Sequence, residues 1–405
     1  MEKHVLNSID PRVIGARLQD ARRARGFTQQ EVGEQMGMAR TTIVAIEKGE
    51  RQLTPHELIG LAQFYGRPLS EFVGRQITSA GIVPQFRAVA RRDFEPDEEF
   101  EEATSELQEL SENYVELETL CGRPMAKSYP VLYDTSGTSP EDAGEYVALM
   151  ERNRLGIGDG PLASLRERLE GDVGLRIFFF SMPAKIAGLF FYSDSLGGCI
   201  GINSKHPRDR RNWSLTHEYA HFLASRYQIE VTILTKPKPS SARERFAETF
   251  AACFLMPSSG LNRRFSELHR SRPEGIILAD IVSLANIYQV SVQAIIYRLE
   301  DLRRLPVGTW DRLSAEGFKV REAQRELGID ANPPVGDSLP RRYKVLAVMA
   351  YRKGDLSEGQ LAKMLRTDRV SARVLVDEIL DVIHAEDEGE FPSLPLDLAL
   401  PIGGR

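Results

Sequence analysis

The segment "SLTHEYAHFLASR", residues 214–226, sets two histidines and a glutamate in the spacing H-E-x-x-H. On an α-helix, His217 and His221 lie about one turn apart on the same face, so two ring nitrogens can meet one metal ion. Glu218 lies on the neighbouring face, where it can take a proton from an attacking water. Taken alone, the pattern fits a zinc-dependent hydrolytic centre and a core helix that carries polar residues equally well. The opposite side of the helix is apolar and is expected to face the core: Leu215, Phe222 and Leu223.

A zinc centre of this kind needs a third protein ligand, which the helical stretch "SARERFAETFAACFLMP" (residues 241–257) can supply. Glu244 and Glu248 are one turn apart on one face of that stretch. We predict that Glu244 binds the metal and that Glu248 accepts the free ring N–H of a ligand histidine. The reverse assignment stays open at this point. The sequence does not identify a group to stabilise an oxyanion, since Tyr219 can point into the core.

Three short apolar runs precede the histidine helix and are separated by turn residues: "GLRIFFFSM" (174–182), "KIAGLFFYSD" (185–194) and "GGCIGINSK" (197–205). Runs of this length and composition predict β-strands. The third run is a candidate edge strand for binding an extended peptide, and an ordinary strand of the sheet is the alternative. Helical patterns dominate the remaining chain. The fold class is therefore predicted to be mostly α with a small β-sheet.

The N-terminal region contains a pair of short helices with a tight turn between them. In "FTQQEVGEQMG" (27–37), Thr28 followed by Glu31 predicts a capping box, and Gly37 predicts the end of the helix. The next stretch, "MARTTIVAIEKG" (38–49), predicts a second helix with Ile43 and Ile46 on its apolar face. Two helices joined in this way are typical of a DNA-binding helix-turn-helix. Four residues of the second helix then point outward: Arg40, Thr41, Thr42 and Ala45.

Residues 14–73, which end in "LTPHELIGLAQFYGRPLSEFV", resemble the XRE/Cro-type helix-turn-helix domain. The resemblance implies that Gln29 contacts phosphate, that Lys48 lies near the DNA backbone, and that Arg40, Thr41 and the neighbouring Thr42 face the bases. It also implies a structural ion pair between Arg22 and Glu47. Two departures weaken the expected readout: Ala39 replaces the usual Ser or Thr cap, and Ala45 replaces a longer side chain. A protein-interaction module is the alternative.

A second resemblance covers about residues 150–305. "LGIGDGPLASLRERLE" (155–170), the three strand-like runs, "WSLTHEYAHFL" (213–223), "ERFAETFAACFLMP" (244–257) and "IVSLANIYQVSVQAIIYRLEDL" (281–302) resemble the ImmA/IrrE family of metallopeptidase domains. The family motif E-x-x-A-[N/D]-x-F-A matches "ERFAETFA", which implies Glu244 as the zinc ligand. Glu248 stands where the family has Asn or Asp. Relatives in the family cleave helix-turn-helix repressors and release stress or mobile-element genes.

The composition sets the cellular context. The net charge is −6, so any contact with double-stranded DNA must come from a local basic patch. The three cysteines, Cys121, Cys199 and Cys253, form no C-x-x-C pair, which favours a reducing compartment. There is no leader-like N-terminus and no run of roughly 18 apolar residues. The sequence thus predicts a cytoplasmic protein that does not contact membranes.

The remaining segments link and extend the two domains. "GIVPQFRAVARR" (81–92) is expected to form a strand or a domain entry, and residues 93–118 lack Lys and Arg and predict an acidic linker helix. That helix either carries a solvated face or imitates the charge of DNA. "LSEGQLAKMLRTDRVSARVLVDEI" (356–379) resembles a second helix-turn-helix, for packing, dimerisation or DNA contact. The acidic, proline-rich tail 387–405 is predicted to be disordered.

The expected domains are a helix-turn-helix domain (1–78), an acidic helical linker (79–125), a metallopeptidase-like domain (126–305), a helical HTH-like domain (306–386) and the tail (387–405). We predict a DNA-binding transcriptional regulator, expected to be a homodimer, with a zinc-dependent endopeptidase domain that cleaves a repressor-type protein or itself. Two alternatives remain. The zinc-site domain can sense a signal without proteolysis, or a protease can use its helix-turn-helix to recognise a protein partner.

Overall fold

The computed structural model describes residues 11–67, 69, 72, 81–234, 241–272, 275–329 and 338–387. The chain divides into two compact units, one of residues 1–111 with 126–338 and one of residues 112–125 with 339–405. Most of the predicted disordered tail, residues 388–405, lies outside the described residues. The domain boundaries expected from the sequence stay predictions.

The N-terminal helices form a small bundle with its own core. Their bounds are α1 (Pro11–Ala24), α2 (Gln29–Met36), α3 (Arg40–Glu47) and α4 (Pro55–Tyr65). The capping box between Thr28 and Glu31 is present, and Gly37 ends α2 in the left-handed conformation. Ile43 and Ile46 of α3 are buried in the core of the bundle. The predicted pair of helices and its turn are confirmed.

Two helices connect this bundle to the rest of the chain, α5 (Ile82–Ala90) and α6 (Glu98–Leu120). The expectation of a strand at residues 81–92 was wrong. Pro84 lies in the first turn of α5, where a missing N–H breaks no helical hydrogen bond, and Phe86 is among the buried residues of that helix. The acidic helix is confirmed, and its apolar residues are buried at helical spacing: Leu107, Leu110, Tyr114 and Leu117.

A four-stranded mixed sheet supports the site. Its strands are β1 (Arg176–Phe180), β2 (Ile186–Ser193), β3 (Gly197–Asn203) and β4 (Glu230–Ile233), in the order β1-β3-β2-β4. β3 runs parallel to β1 and antiparallel to β2, and β2 pairs antiparallel with β4. Because β3 hydrogen-bonds on both sides, it is an inner strand and cannot be the edge proposed for peptide binding. The edge near the histidine helix is β4.

Helices cover the sheet and complete this unit. They are α7 (Pro140–Arg154), the short α8 (Leu165–Arg168) with a π-helical turn (Leu169–Val173), α9 (Arg208–Ser225), α10 (Ala242–Leu255), α11 (Ser258–Ser271), α12 (Leu278–Tyr288), α13 (Val292–Asp301), α14 (Thr309–Ala315) and α15 (Val320–Glu326). α7 packs tightly on α10, since a β-carbon on Gly144 would lie 2.9 Å from the Phe246 carbonyl oxygen. The predicted class, mostly α with a small β-sheet, is confirmed.

The second unit is helical. It contains α16 (Arg341–Lys353), α17 (Glu358–Met364) and α18 (Arg369–Asp387), together with residues 112–125. Ser357 and Gln360 form a capping box at the start of α17. The Tyr114 and Tyr343 rings meet edge to face at 5.3 Å. The role of this helical unit stays a prediction.

No single helix of the described residues is long and apolar enough to cross a membrane. Only α12 and α13 taken together reach that length and composition, and these two helices are bent by 102° relative to each other. Residues of both helices belong to the main core.

Candidate functional site

Three side chains converge between α9 and α10. His217 Nε2 lies 3.1 Å from His221 Nε2 and 3.3 Å from Glu244 Oε2, and His221 Nε2 lies 3.6 Å from Glu244 Oε1. Among the described residues, these three form a group whose ligand atoms all lie within 4.8 Å of one another. Both histidines are buried, and Glu244 is partly exposed at the N-terminal turn of α10, which Ser241 caps. The two helices thus build one cluster from the predicted residues.

The chemistry of this cluster fits a divalent cation. Two imidazole nitrogens face each other and a carboxylate, and a set of two nitrogens and one oxygen is typical of catalytic zinc. Burial would lower the pKa of His217, but the carboxylates of Glu244 and Glu248 outweigh burial and raise that pKa to about 10. Burial and the charge of His217 lower the pKa of His221 to about 3. The two carboxylates thus favour a positive charge beside them.

Glu248 contacts the far side of the His217 ring. Its Oε1 lies 3.2 Å from His217 Nδ1, and its Oε2 accepts a hydrogen bond of 3.1 Å from Trp213 Nε1. A carboxylate in this place fixes the orientation of a ligand histidine. Although Glu248 is longer than the Asn or Asp expected at this position, its carboxylate also contacts the His217 ring.

Glu218 is fully buried beside the cluster. Its Oε1 accepts a hydrogen bond of 2.5 Å from Thr232 Oγ1, while its buried Oε2 has no hydrogen-bond partner among the residues that the structure describes. A β-carbon on Gly188 would lie 2.5 Å from Oε1, so only glycine leaves this carboxylate room. Gly188 and Thr232 are paired across β2 and β4. Burial raises the pKa of Glu218 to about 7, which suits a group that must accept and return a proton near neutral pH.

The tyrosine that follows Glu218 faces away from the three candidate metal ligands. Tyr219 is fully buried, donates to Glu151 Oε2 and accepts from Arg154 Nη2 at 3.1 Å. Arg154 also pairs with Glu151 at 2.7 Å. The expectation that Tyr219 can point into the core is confirmed. This hydrogen-bond network links α9 to α7. Its groups are not placed to stabilise an oxyanion at the candidate site.

A cleft of about 410 Å³ opens beside His217 and Glu248. Its walls come from α9, β4, α10 and α13, and they include the exposed Tyr297 and the buried Arg298. The β4 residues that line it are Thr232 and Ile233. β4, an edge strand of the sheet, thus forms one wall of the cleft that reaches His217.

The predicted DNA-contacting residues lie around α3. Arg40, Thr41 and Lys48 are exposed, and Thr42 is partly buried. Gln29 is partly buried and donates a hydrogen bond of 2.8 Å to Glu47 Oε2. Ala39 supplies no side-chain cap to α3, as expected.

The predicted ion pair beneath this surface is confirmed. Arg22 Nε lies 2.6 Å from Glu47 Oε1, and Nη2 donates to Oε2 at 3.0 Å. Gln19 also donates to Glu47, at 3.3 Å. Burial would raise the pKa of Glu47, but hydrogen bonds from Arg22, Gln29 and Gln19 outweigh burial and hold that pKa below 4.5. The network fixes the end of α3 against α1.

Comparison with known proteins agrees with both predicted resemblances. Residues 18–72 match the helix-turn-helix family, and residues 170–300 match the IrrE N-terminal-like domain family, a range that includes the whole metal cluster. The chain thus contains one region similar to a helix-turn-helix of the XRE type and one similar to the IrrE N-terminal-like domain of a peptidase family. The first match supports DNA binding, and the second agrees with a possible His/Glu metal site.

No curated protein matches the sequence. One solved structure, the "Crystal Structure of Bacillus thuringiensis PlcR in complex with the peptide PapR7 and DNA", aligns with 93% of this chain and 98% of that chain at 11% identity and a TM-score of 0.16. A similarity at that TM-score supports no conclusion about this chain.

Sequence reasoning missed three residues that shape the site. Thr232 donates a hydrogen bond to Glu218, and Gly188, without a side chain, leaves space for the Glu218 carboxylate. Trp213 donates a hydrogen bond to Glu248. Only Trp213 had a local signal, because it lies one turn before His217 on the same helix. Gly188 and Thr232 reach Glu218 through strand pairing, which no local pattern predicts.

Proposed function

We propose that this protein is a transcriptional regulator that binds double-stranded DNA through its helix-turn-helix and carries a zinc-dependent endopeptidase domain. The substrate is a repressor-type protein or the chain itself. The observation that carries the proposal is the placement of Glu218, which is buried next to the three converging ligands. One of its oxygens accepts no hydrogen bond from the described part of the chain.

In this proposal His217, His221 and Glu244 hold zinc, and Glu248 orients His217. Zinc in such a site makes water a nucleophile near neutral pH and polarises the peptide carbonyl. Glu218 accepts the proton of the attacking water and returns it to the leaving amine, and Thr232 keeps the carboxylate in place for both transfers. The partly exposed β4 edge aligns the substrate backbone by strand pairing.

The DNA-binding part of the proposal depends on α3. Exposed Arg40 and Thr41 at its N-terminus are placed to contact base edges, since the N-terminal residues of a recognition helix do so. Thr42 adjoins them, while Gln29 and Lys48 contact the phosphates. A homodimer is proposed because domains of this type read paired half-sites.

The test uses Glu218→Gln in the full-length chain, with zinc content measured for both proteins. Wild type incubated with zinc, alone and with a candidate repressor, is expected to yield fragments with new termini in mass spectra. Glu218→Gln should retain zinc and yield none. If cells carrying Glu218→Gln regulate their target genes as wild type does, the proteolytic proposal fails and a sensing role for the domain is favoured.

A further inference from the structure

The start of α17 in the second unit repeats the start of α2. Ser357 lies 329 positions after Thr28 in the chain. Thr28 forms a capping box with Glu31, and Ser357 forms one with Gln360, which again lies 329 positions after Glu31. Both helices therefore begin with the same hydrogen-bond pattern at corresponding positions.

The turn that follows each helix corresponds at the same spacing. Gly37 has a φ of 66° after α2, and Arg366 has a φ of 53° after α17. A positive φ is uncommon for a residue with a side chain, so the value at Arg366 indicates the same tight turn. The next residue of each turn donates its main-chain N–H to the carbonyl five residues earlier: Met38 to Gly33 at 2.8 Å, and Thr367 to Ala362 at 3.0 Å.

The buried positions of the two regions also correspond. Each of α1, α2 and α3 contains a buried apolar residue whose counterpart 329 positions later is buried and apolar as well: Leu18 and Ala347, Val32 and Leu361, and Ile43 and Ala372. In caps, turn and core positions, α16, α17 and α18 therefore repeat the helix-turn-helix of α1, α2 and α3.

The first turns of α18 are exposed. Arg369, Val370 and Ser371 correspond to the first three residues of α3, and all three are exposed. Val370 is 69% exposed, and Val374, one turn later on the same face, is 53% exposed. Apolar side chains on a recognition helix contact the methyl groups of thymine in the major groove. The two valines therefore give the exposed face of α18 a specific use.

The charge around this face favours DNA. Residues 339–376 contain nine Lys or Arg and three Asp or Glu, within a chain whose net charge is −6. A local basic region of this kind attracts the phosphates of a duplex even when the whole protein is acidic.

The carboxylates near the start of α18 are engaged in local contacts. Glu358 pairs with Arg373 at 2.9 Å. Asp368 accepts hydrogen bonds of 2.8 and 2.9 Å from two main-chain N–H groups in the first turn of α18. Farther along the helix, Asp377 and Glu378 are exposed acids. Contact with phosphates is therefore expected only in the first two turns of α18.

We propose that the start of α18 is a second contact surface for double-stranded DNA. Arg369 contacts a phosphate there, and Val370 and Val374 contact thymine methyl groups. This surface is additional to the one proposed on α3, and its use does not depend on contacts by α3 or on proteolysis.

The test measures fluorescence anisotropy of the full-length protein with a labelled duplex of alternating adenine and thymine. Arg40→Ala and Lys48→Ala together remove the contacts proposed for α3 and provide the background, in which saturable binding is expected to remain. Arg369→Ala in that background should weaken binding and lower the salt dependence by about one unit of slope. Arg270→Ala, the same change at an exposed arginine in the last turn of α11, should alter neither.

Two further measurements address the bases and the sign of the charge. Replacing thymine by uracil removes only the methyl groups and should weaken binding in the background several-fold, and Val370→Ser with Val374→Ser should abolish that difference. Asp368→Asn removes a negative charge but keeps a residue that caps helices well, so it should tighten binding a few-fold.

The outcomes separate this proposal from the one for α3. If the background variant shows no saturable binding, the second surface is refuted and the function proposed for α3 stands. If the background binds as tightly as wild type and Arg369→Ala weakens it, the contacts proposed for α3 fail and the second surface stands. The proposal is also overturned if Arg369→Ala has no effect. A change from dimer to monomer in analytical ultracentrifugation on the two serine substitutions would overturn it too, because the valines would then cover a subunit interface.

Discussion

Gly188 and Glu218 are in such close contact that a β-carbon on the glycine would lie 2.5 Å from Oε1 of the glutamate. We therefore expect Gly188→Ala to displace the carboxylate and lower kcat/KM for peptide cleavage about 100-fold, since misplacement by an ångström costs about that much. Zinc content should stay the same because no ligand moves. Gly171→Ala, where a β-carbon meets nothing within 4 Å, is the control. Loss of zinc in Gly188→Ala would point instead to collapse of the site.

Metal content tests the ligand set directly. Elemental analysis should find about one zinc per chain in wild type and almost none in His217→Ala or Glu244→Ala, because three protein ligands hold the ion. Glu248→Gln should keep the metal but bind it about 10-fold to 100-fold more weakly, since only the orientation of His217 suffers. Chelation should lower the unfolding temperature of wild type and leave that of His217→Ala unchanged. Equal zinc in wild type and Glu244→Ala would remove Glu244 from the set.

The Arg22–Glu47 pair should stabilise the helix-turn-helix domain. Arg22→Met removes the cation from the buried Glu47 carboxylate and leaves it only the amide donors of Gln19 and Gln29. The substitution is expected to cost about 3 kcal/mol of unfolding free energy, measured by denaturant titration. The more exposed pair Arg51–Glu57 gives the control, and Arg51→Met should cost less than about 1 kcal/mol. Because the pKa of Glu47 is held below 4.5, its contribution is present above that pH and is lost as the pH falls further. An equal cost for both arginine variants would contradict this account.

Substitutions at the two ends of α3 should distinguish recognition of the bases from sequence-independent attraction to the DNA backbone. Arg40→Ala is expected to lower the affinity for the operator and relax its base preference, because a base contact is lost. Lys48→Ala should weaken binding to all sequences alike and reduce the salt dependence by about one unit of slope. Lys319→Ala, at an exposed lysine outside this domain, should change neither. Fluorescence anisotropy with operator and random duplexes at several salt concentrations measures both effects.

The missing cap of α3 predicts a stabilising change. Ala39→Ser should provide a side-chain acceptor for the free N–H groups and stabilise the domain by about 1 kcal/mol. Ala16→Ser, at an exposed position inside α1, should give no gain because serine is a poorer helix former than alanine. A thermal unfolding scan compares the two. An equal change in unfolding temperature for both variants would mean that serine at position 39 does not cap α3.

Local patterns predicted the features that depend on neighbours along the chain. The H-E-x-x-H helix, the capping box at Thr28 and the first three strands all follow from spacing within one element. The order of the strands does not, so β3 was mistaken for a possible edge. Strand β4 went unnoticed because "EVTI" is four residues long and only half-buried. The apolar segment 81–92 was predicted to be a strand or a domain entry. It forms a helix, because the first turn of a helix tolerates proline.

Trp213 donates a hydrogen bond to Glu248, so its fluorescence is expected to report on the candidate metal site. The sequence contains two tryptophans, and the other, Trp310, lies on α14. Replacing Trp310 with phenylalanine leaves one indole whose emission responds to the carboxylate that orients His217. If the proposed function holds, zinc binding, zinc removal by a chelator and substrate binding in the cleft are each expected to change the intrinsic fluorescence. The centre can be followed in real time, in the intact protein and without an added label.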